Sequence, residues 1–393
     1  MLAGGCVRDH LLGITPKDYD LASTALPESV MSLFSSKGYQ VIPIGIDHGT
    51  VSVVTPIQHV EITTLRKDVA CFGRKAEVSF GTSFEEDALR RDFTINALFM
   101  DAEKNIHDYT GGQQDLAEHR LVFVGDPDQR IQEDYLRSLR YFRFLARLGW
   151  RPQSAALHAI KENKSGLTGL SSERIHAEME KILVAPHRVA IIKCMVDAQV
   201  LQTLFPWFDP NQIKILTEIL NQAPSDKPLI PWLILFYYGA SPKLSTAKLD
   251  NELDRLRFSR SDKKIILGFT RILDATTDPY HGLFLILRIS RNKQAPLEEL
   301  NDLLKCYGQL ANQSVHPAWF DLIDGIRTKD APPLAPSEIL KIPEQDRGKN
   351  IEMAKIYWYL NLCHATKQPK DILGQLHQFT QELKSKLASY KDL

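Results

Sequence analysis

The stretch Asp18-Tyr19-Asp20 limits what this chain can become more than any other. Side chains alternate across an extended segment, so carboxylates two positions apart point to the same side. Like charges held that close need a counter-charge, and a divalent metal is the usual one. Upstream, Gly4-Gly5 is followed by Arg8-Asp9. Glycines let backbone N–H groups approach a phosphate more closely than bulkier residues would. A carboxylate pair for metal beside a phosphate-cradling turn suits phosphoryl or nucleotidyl transfer. Each piece alone also fits an ordinary turn or a solvated strand end; their closeness in the chain joins them.

A chain of 393 residues, 44% hydrophobic and 24% charged, predicts a soluble protein of two or three domains. Its 48 basic and 48 acidic residues balance, so a nucleic-acid surface has to concentrate basic residues locally. Cys6, Cys71, Cys194, Cys306 and Cys363 form no CxxC pair, which indicates neither a zinc site nor a disulfide framework, and a reducing compartment is expected. The most apolar run, Leu229 to Ala240, contains Pro231 and is too short to span a bilayer, so it reads as a buried helix. No signal or transit segment is expected ahead of the first motif.

Residues 1 to 125 read as mixed α/β. Val51–Val54, His59–Thr63 and Leu121–Val124 have strand character, and Pro27–Lys37 and Phe84–Arg91 are helical. Glu61 shares a strand face with His59 and Thr63, so it becomes a third carboxylate if that strand pairs beside Asp18 and Asp20; otherwise it is a surface acid. From residue 126 onward the pattern is helical. Asp126-Pro127-Asp128-Gln129 is a capped helix start, and one helix is expected to run from there to Arg147. At about 100° per residue, Tyr135, Leu139, Phe142 and Ala146 share one side. Glu133, Asp134, Arg137, Arg140 and Arg147 share the other, with Arg143 flanking them. Four arginines and no lysine suit forked recognition of phosphate or base edges better than mere solubility. A further helix runs from Ser171 through Glu178 to Leu183. Asp330–Pro336 reads as a linker or sharp turn, and Ile372, Leu373, Leu376, Phe379, Leu383 and Leu387 mark a final amphipathic helix.

Taken in order, Gly4-Gly5-Cys6-Val7-Arg8-Asp9, Pro16-Lys17-Asp18-Tyr19-Asp20, His48-Gly49-Thr50, Glu61-Ile62-Thr63-Thr64-Leu65-Arg66, Arg90-Arg91-Asp92-Phe93-Thr94-Ile95-Asn96-Ala97, Glu133-Asp134-Tyr135-Leu136-Arg137 and Glu173-Arg174-Ile175 resemble the motif series of the class II tRNA nucleotidyltransferases. These are the CCA-adding enzymes and their poly(A) polymerase relatives. The resemblance covers about the first 185 residues, and the full series in order is highly specific. It implies an α+β chain: a polymerase-β-like nucleotidyltransferase head at 1–125, a helical neck for base recognition at 126–190, and a helical body and tail for tRNA binding at 191–393. It implies that Asp18 and Asp20 hold two Mg²⁺ ions, with Glu61 as the third catalytic acid. Gly5 and Arg8 are implied triphosphate contacts. Arg91, Asp92, Asn96, Glu133, Asp134, Arg137, Arg140 and Arg143 complete the nucleotide-binding set. The implied substrates are CTP, ATP and the tRNA 3′ end, in a bacterial cytoplasm or, second, the mitochondrial matrix, with no membrane involved.

Asp134 accepts hydrogen bonds and Arg137 donates them. Cytosine and adenine each present an amino donor beside a ring-nitrogen acceptor, whereas guanine and uracil present the reverse. On one helix face the pair would select C and A, because mismatched buried groups discriminate by about 10⁴ or more. Two departures from the family pattern stand out. The strand that family members place before the glycine turn, bordering the catalytic sheet, is expected to be missing. The loop from Lys67 to Ser79, a flexible loop in relatives, carries Phe72-Gly73-Arg74 where an acid often precedes Gly-Arg, but its presence favours addition of A. Poly(A) polymerase, A-adding or CC-adding specialists and a non-catalytic RNA-binding relative are the alternatives; a metal-dependent phosphohydrolase lacks paired His/Asp motifs.

Overall fold

Strand alternation builds the head. The computed structural model of the protein describes residues 1–274 apart from 47–48, 73–74, 82 and 224–228. His48, Gly73-Arg74, the Asp330–Pro336 turn and the final helix expected at Ile372–Leu387 lie outside the described residues. A seven-stranded sheet has the order β3-β4-β5-β2-β1-β8-β9, from β1 (Leu2–Ala3), β2 (Tyr19–Ser23), β3 (Gln40–Gly45), β4 (Thr50–Val54), β5 (His59–Thr64), β8 (Leu98–Met100) and β9 (Ile106–Asp108). Only β2 and β5 pair in parallel, and their register sets Asp20 opposite Glu61. Val51 and Val53 of β4 and Ile62 of β5 point to one face, where Val30 of α2 (Pro27–Ser36) covers them. Cys6 and Val7 of α1 (Gly5–Leu11) pack on Leu98 and Met100.

Three sequence expectations are corrected here. The strand ahead of the glycine pair is present as Leu2–Ala3, and it lies between β2 and β8, with Leu2 opposite both Leu21 and Met100. Two residues carry no readable period. The expected loop at 67–79 is an antiparallel pair, β6 (Arg66–Phe72) with β7 (Lys75–Phe80). Leu121–Val124 forms no ladder: Phe123 makes one isolated bridge to Phe93, because the backbone beyond Phe93 turns at once into a short 3₁₀ segment, Thr94–Asn96.

Helices dominate thereafter. Ser83 and Glu86 form a capping box on α3 (Phe84–Leu89). Asp108 accepts backbone N–H groups of Thr110, Gly111, Gly112 and Gln113 and so starts α4 (Gly112–Ala117). Asp126 caps α5 (Pro127–Glu133), with Pro127 in the first turn. The single helix expected from there to Arg147 is broken. Asp134 is extended (φ −153°, ψ 103°), its Oδ1 accepts the Leu136 N–H (3.1 Å), and α6 (Leu136–Leu148) begins anew. An Asp side chain that bonds the backbone two residues on offers the chain a turn in place of a helix. α6 is buried on more than the expected stripe: Tyr141, Phe144 and Leu145 are buried with Leu139, Phe142 and Ala146. α7 (Ser154–Glu162), α8 (Ser172–Leu183), α9 (Arg188–Asp197) and α10 (Val200–Leu204) complete a first compact unit, Met1–Pro210.

The second unit is Asn211–Leu393. Its described part holds α11 (Ile213–Gln222), α12 (Leu229–Tyr238), α13 (Thr246–Arg255) and α14 (Arg260–Asp274). The apolar run forms α12, buried from Ile230 to Tyr237 as expected. Among the described residues, no helix is long and apolar enough to cross a membrane.

In the first unit α6 is tied to the head chiefly through Asp92. Its Oδ2 receives Arg140 Nε at 2.6 Å, and its Oδ1 receives Asn96 Nδ2 (3.0 Å) and the Phe93 N–H (2.9 Å). Burial pushes the Asp92 carboxyl up, but Arg140 and these hydrogen bonds outweigh it and hold the pKa below its ordinary 3.8. A depressed folded-state pKa means stability fully present above about pH 4 and lost as pH falls below it. Asp92→Asn is therefore expected to cost about 2 kcal/mol at pH 7, a figure discounted because Arg140 keeps partial access to water. In urea unfolding, the gap between variant and wild type should begin to narrow as pH falls below about 4.

Candidate functional site

Within the first unit a cavity of about 1090 Å³ is lined by residues of β2, α1, β5, the Arg90–Asn96 segment, α6 and α8. Asp18, Asp20, Glu61, Gly5, Arg8, Arg91, Asp92, Asn96, Asp134, Arg137, Arg140 and Arg143 all border it. Of the sequence-derived set, Glu133 alone is not a lining residue. Its carboxylate instead holds Arg130 and, at 2.6 Å, Arg137. α5 ends at Glu133, so this acid belongs to the helix before the break.

The glycine turn is shaped by close approach. Gly4 has φ +72°, and a Cβ there would lie 2.7 Å from Arg91 Nη1, so the position favours glycine twice over. Arg91 is fixed by Asp87 (3.0 and 3.1 Å), by the Asn96 carbonyl (3.1 Å) and by the ring of Phe99, 4.9 Å below its guanidinium. The same buried Asp87 holds Arg90 through its other oxygen. Arg8 is buried, held by Asp9 (2.7 and 2.8 Å) and by Asn96 Oδ1 (2.6 Å). Asp92 and Asn96 thus line the cavity while their polar atoms hold Arg140 and Arg8.

The acid group is different in kind. Asp18, Asp20 and Glu61 are exposed to the cavity and, among the described residues, make no ion pair. Asp20 sits above its ordinary carboxyl range: partial desolvation raises it, Arg91 opposes, and the charge of Asp18 adds to the rise. A divalent cation would relieve that repulsion, so the Asp18/Asp20 pair fits one chemically. Among the described residues no three His, Cys, Asp or Glu side chains are grouped closely enough to hold an ion. Glu61 is therefore a neighbour in register, not a third ligand already in place.

On the opposite wall, Asp134 and Arg137 both face the cavity, but not from one helix face. Asp134 Oδ2 receives Arg174 Nη2 of α8 at 2.7 Å, and Arg137 donates to the carbonyls of Arg130 (2.9 Å) and Arg90 (3.3 Å). Arg143 lies 3.1 Å from Glu178, and the guanidinium groups of Arg8, Arg140 and Arg143 stand 4.9, 5.7 and 4.6 Å from the Phe144 ring centre. The sequence reading missed Arg174, Asp87 and Asp9 as parts of the site, and it placed Arg147 on the arginine face without a partner. Arg174 lies in the Glu173-Arg174-Ile175 motif and Asp9 in the glycine-turn motif, so both were visible as pattern without a role.

Residues 1–122 match the family model described as the poly A polymerase head domain. Residues 152–211 match that of the probable RNA and SrmB-binding site of polymerase A. The mitochondrial CCA tRNA nucleotidyltransferase 1 of Danio rerio is 38% identical over 271 residues, 67% of this chain and 61% of that protein. The chain thus spans less than two thirds of that relative. The CCA-adding enzyme of Lactobacillus helveticus is 39% identical over 280 residues, 70% of this chain and 69% of that protein. In fold, the chain is similar to the Bacillus stearothermophilus CCA-adding enzyme in complex with CTP, with a TM-score of 0.64 at 23% identity over 98% of this chain and 94% of that one. With a match of this extent to the Lactobacillus protein, the chain belongs to the family of class II CCA-adding enzymes and poly(A) polymerases.

Proposed function

We propose that this protein adds C, C and then A to the 3′ end of tRNA, using CTP and ATP, without a nucleic-acid template. One placement supports the reading above all: the unpaired acids Asp18 and Asp20 and the base-reading candidates Asp134 and Arg137 border the same cavity. A single nucleotide can then present its phosphates to one wall and its base to the other. In this reading residues 1–125 are the head, 126–190 the neck, and 191–393 the RNA-binding body and tail, in a cytoplasm or mitochondrial matrix.

The chain's own groups divide the work. The Gly4-Gly5 turn and Arg8, locked by Asp9 and Asn96, receive the triphosphate. Arg91, clamped by Asp87, faces the same phosphates beside Asp20. Asp18 and Asp20 would hold two Mg²⁺ ions, which would supply Lewis acidity to lower the pKa of the RNA 3′-hydroxyl and positive charge to balance the departing pyrophosphate. Glu61, directly opposite Asp20, keeps negative charge at that wall. Asp134 accepts from the exocyclic amino group of C or A, and Arg137 donates to the neighbouring ring nitrogen. Both are held by protein partners before a base arrives. The β6–β7 hairpin fits an enzyme that proceeds to A.

Incubating the protein with tRNA ending at its discriminator base, with Mg²⁺ and with CTP or ATP separately and together, tests the reading by product length. Two C with CTP alone and C-C-A with both is the expected ladder; a long A tract, or no extension, refutes it. Asp18→Ala or Asp20→Ala should lower incorporation by at least about 10³-fold, the scale of removing one transition-state charge partner, while a gel shift shows tRNA still bound. Turnover retained in either variant removes the metal assignment. Asp134→Ala should let GTP and UTP compete, shrinking the preference for CTP and ATP by about 10²-fold or more. An unchanged preference sinks the protein-template idea.

A further inference from the structure

Among the described residues, charge pairing on the neck side of the cavity leaves one cation over. Arg137 meets Glu133 at 2.6 Å, Arg140 meets Asp92 at 2.6 Å, Arg143 meets Glu178 at 3.1 Å, Arg147 meets Asp9 at 2.7 Å and Arg174 meets Asp134 at 2.7 Å. Lys181 of α8 borders the same cavity, is exposed, and has no ion pair or hydrogen bond among the described residues. On the head wall Lys17 too has no ion pair among the described residues, but it adjoins the acid of Asp18 in sequence.

The helix tells which part of a ligand Lys181 meets. Arg174 and Lys181 are two turns apart, so they lie within about 20° of one another around α8 and about 10 Å apart along it. The Arg174 end holds Asp134, where the base is read. At the other end the His187 N–H donates to the Ala146 carbonyl (3.0 Å), which places the end of α8 beside the last turn of α6. There Arg147 reaches Asp9, and Asp9 holds Arg8. The two helices therefore run from a base end to an end facing Arg8 and the glycine turn, and Lys181 belongs to the second.

Building on the function proposed above, we infer that Lys181 binds the nucleotide's triphosphate from the neck side, across the cavity from Gly5 and Arg8. The arginines there are held in place by acids that offset their charge. An unpaired ammonium on a flexible stem keeps its full charge and three donors, and can follow phosphate oxygens as they move.

Binding of CTP, inorganic tripolyphosphate and cytidine to the full chain tests this in wild type, Lys181→Gln and Lys181→Arg. Lys181→Gln should weaken CTP and tripolyphosphate about five- to tenfold, the scale of one charge-assisted contact. Cytidine should stay within about twofold, and Lys181→Arg should restore most of the loss. Unchanged tripolyphosphate binding in Lys181→Gln, an equal loss for cytidine, or wild type that does not bind tripolyphosphate overturns the inference. Wild type that binds CTP but extends no RNA refutes the proposed function and leaves this inference standing. Wild type that extends RNA, with Lys181→Gln binding CTP equally well, does the reverse.

Discussion

A guanidinium withdrawn from water has to bring an acid with it, and the first unit is arranged around that requirement. α6 carries Arg137, Arg140, Arg143 and Arg147 toward one cavity, and their acids come from four other places: Glu133 of α5, Asp92 after α3, Glu178 of α8 and Asp9 of α1. Satisfying each pair fixes α6 against the head on one side and α8 on the other. Around the Phe144 ring Arg8 of α1 joins two of them, Arg140 and Arg143, so cation repulsion is concentrated there. Arg143 registers it: burial lowers its pKa, Glu178 opposes, and Arg140 and Arg8 push it down further.

The same requirement sorts the acids. Asp9, Asp87 and Asp92 are buried and matched to arginines, so they have no charge to offer a ligand. Asp18, Asp20 and Glu61 are exposed and unmatched among the described residues. Both classes line one cavity, and the buried acids keep the arginines from collapsing onto the exposed ones. Arg91 marks the boundary: Asp87 clamps it, yet it is close enough to Asp20 to pull that carboxyl downward.

Strand alternation made Asp20 and Glu61 legible in sequence, because the β2–β5 register sets them opposite one another; Asp18 lies in a bend just before β2 and not in the ladder. The capped start at Asp126 and the helices over 27–36, 84–89 and 172–183 were legible for similar local reasons. Long-range pairing was not. Leu2–Ala3 is a strand only because β2 and β8 flank it, and Phe123 fails to be one because only Phe93 does. Asp87 and Asp92 look alike in sequence to Asp18 and Asp20, and only burial separates them. Glu133 sat in a recognisable motif, but that it serves Arg130 and Arg137 depends on where α5 stops.

The break at Asp134 changes what the proposed base selection would rest on. On one continuous helix, Asp134 and Arg137 would be fixed by α6 alone, and their spacing would be as rigid as the helix. Instead Asp134 sits in an extended link, with one oxygen on the Leu136 N–H and the other on Arg174. Arg137 is set by α5 and by the Arg90 carbonyl of the head. The acceptor is thus positioned from α8 and the donor from α5 and the head. Small shifts between those elements alter the donor–acceptor spacing without unfolding anything. Under the function proposed above, a site that takes a pyrimidine and then a purine, whose pairing edges stand at different distances from their sugars, would gain more from such a divided mounting than from a rigid one.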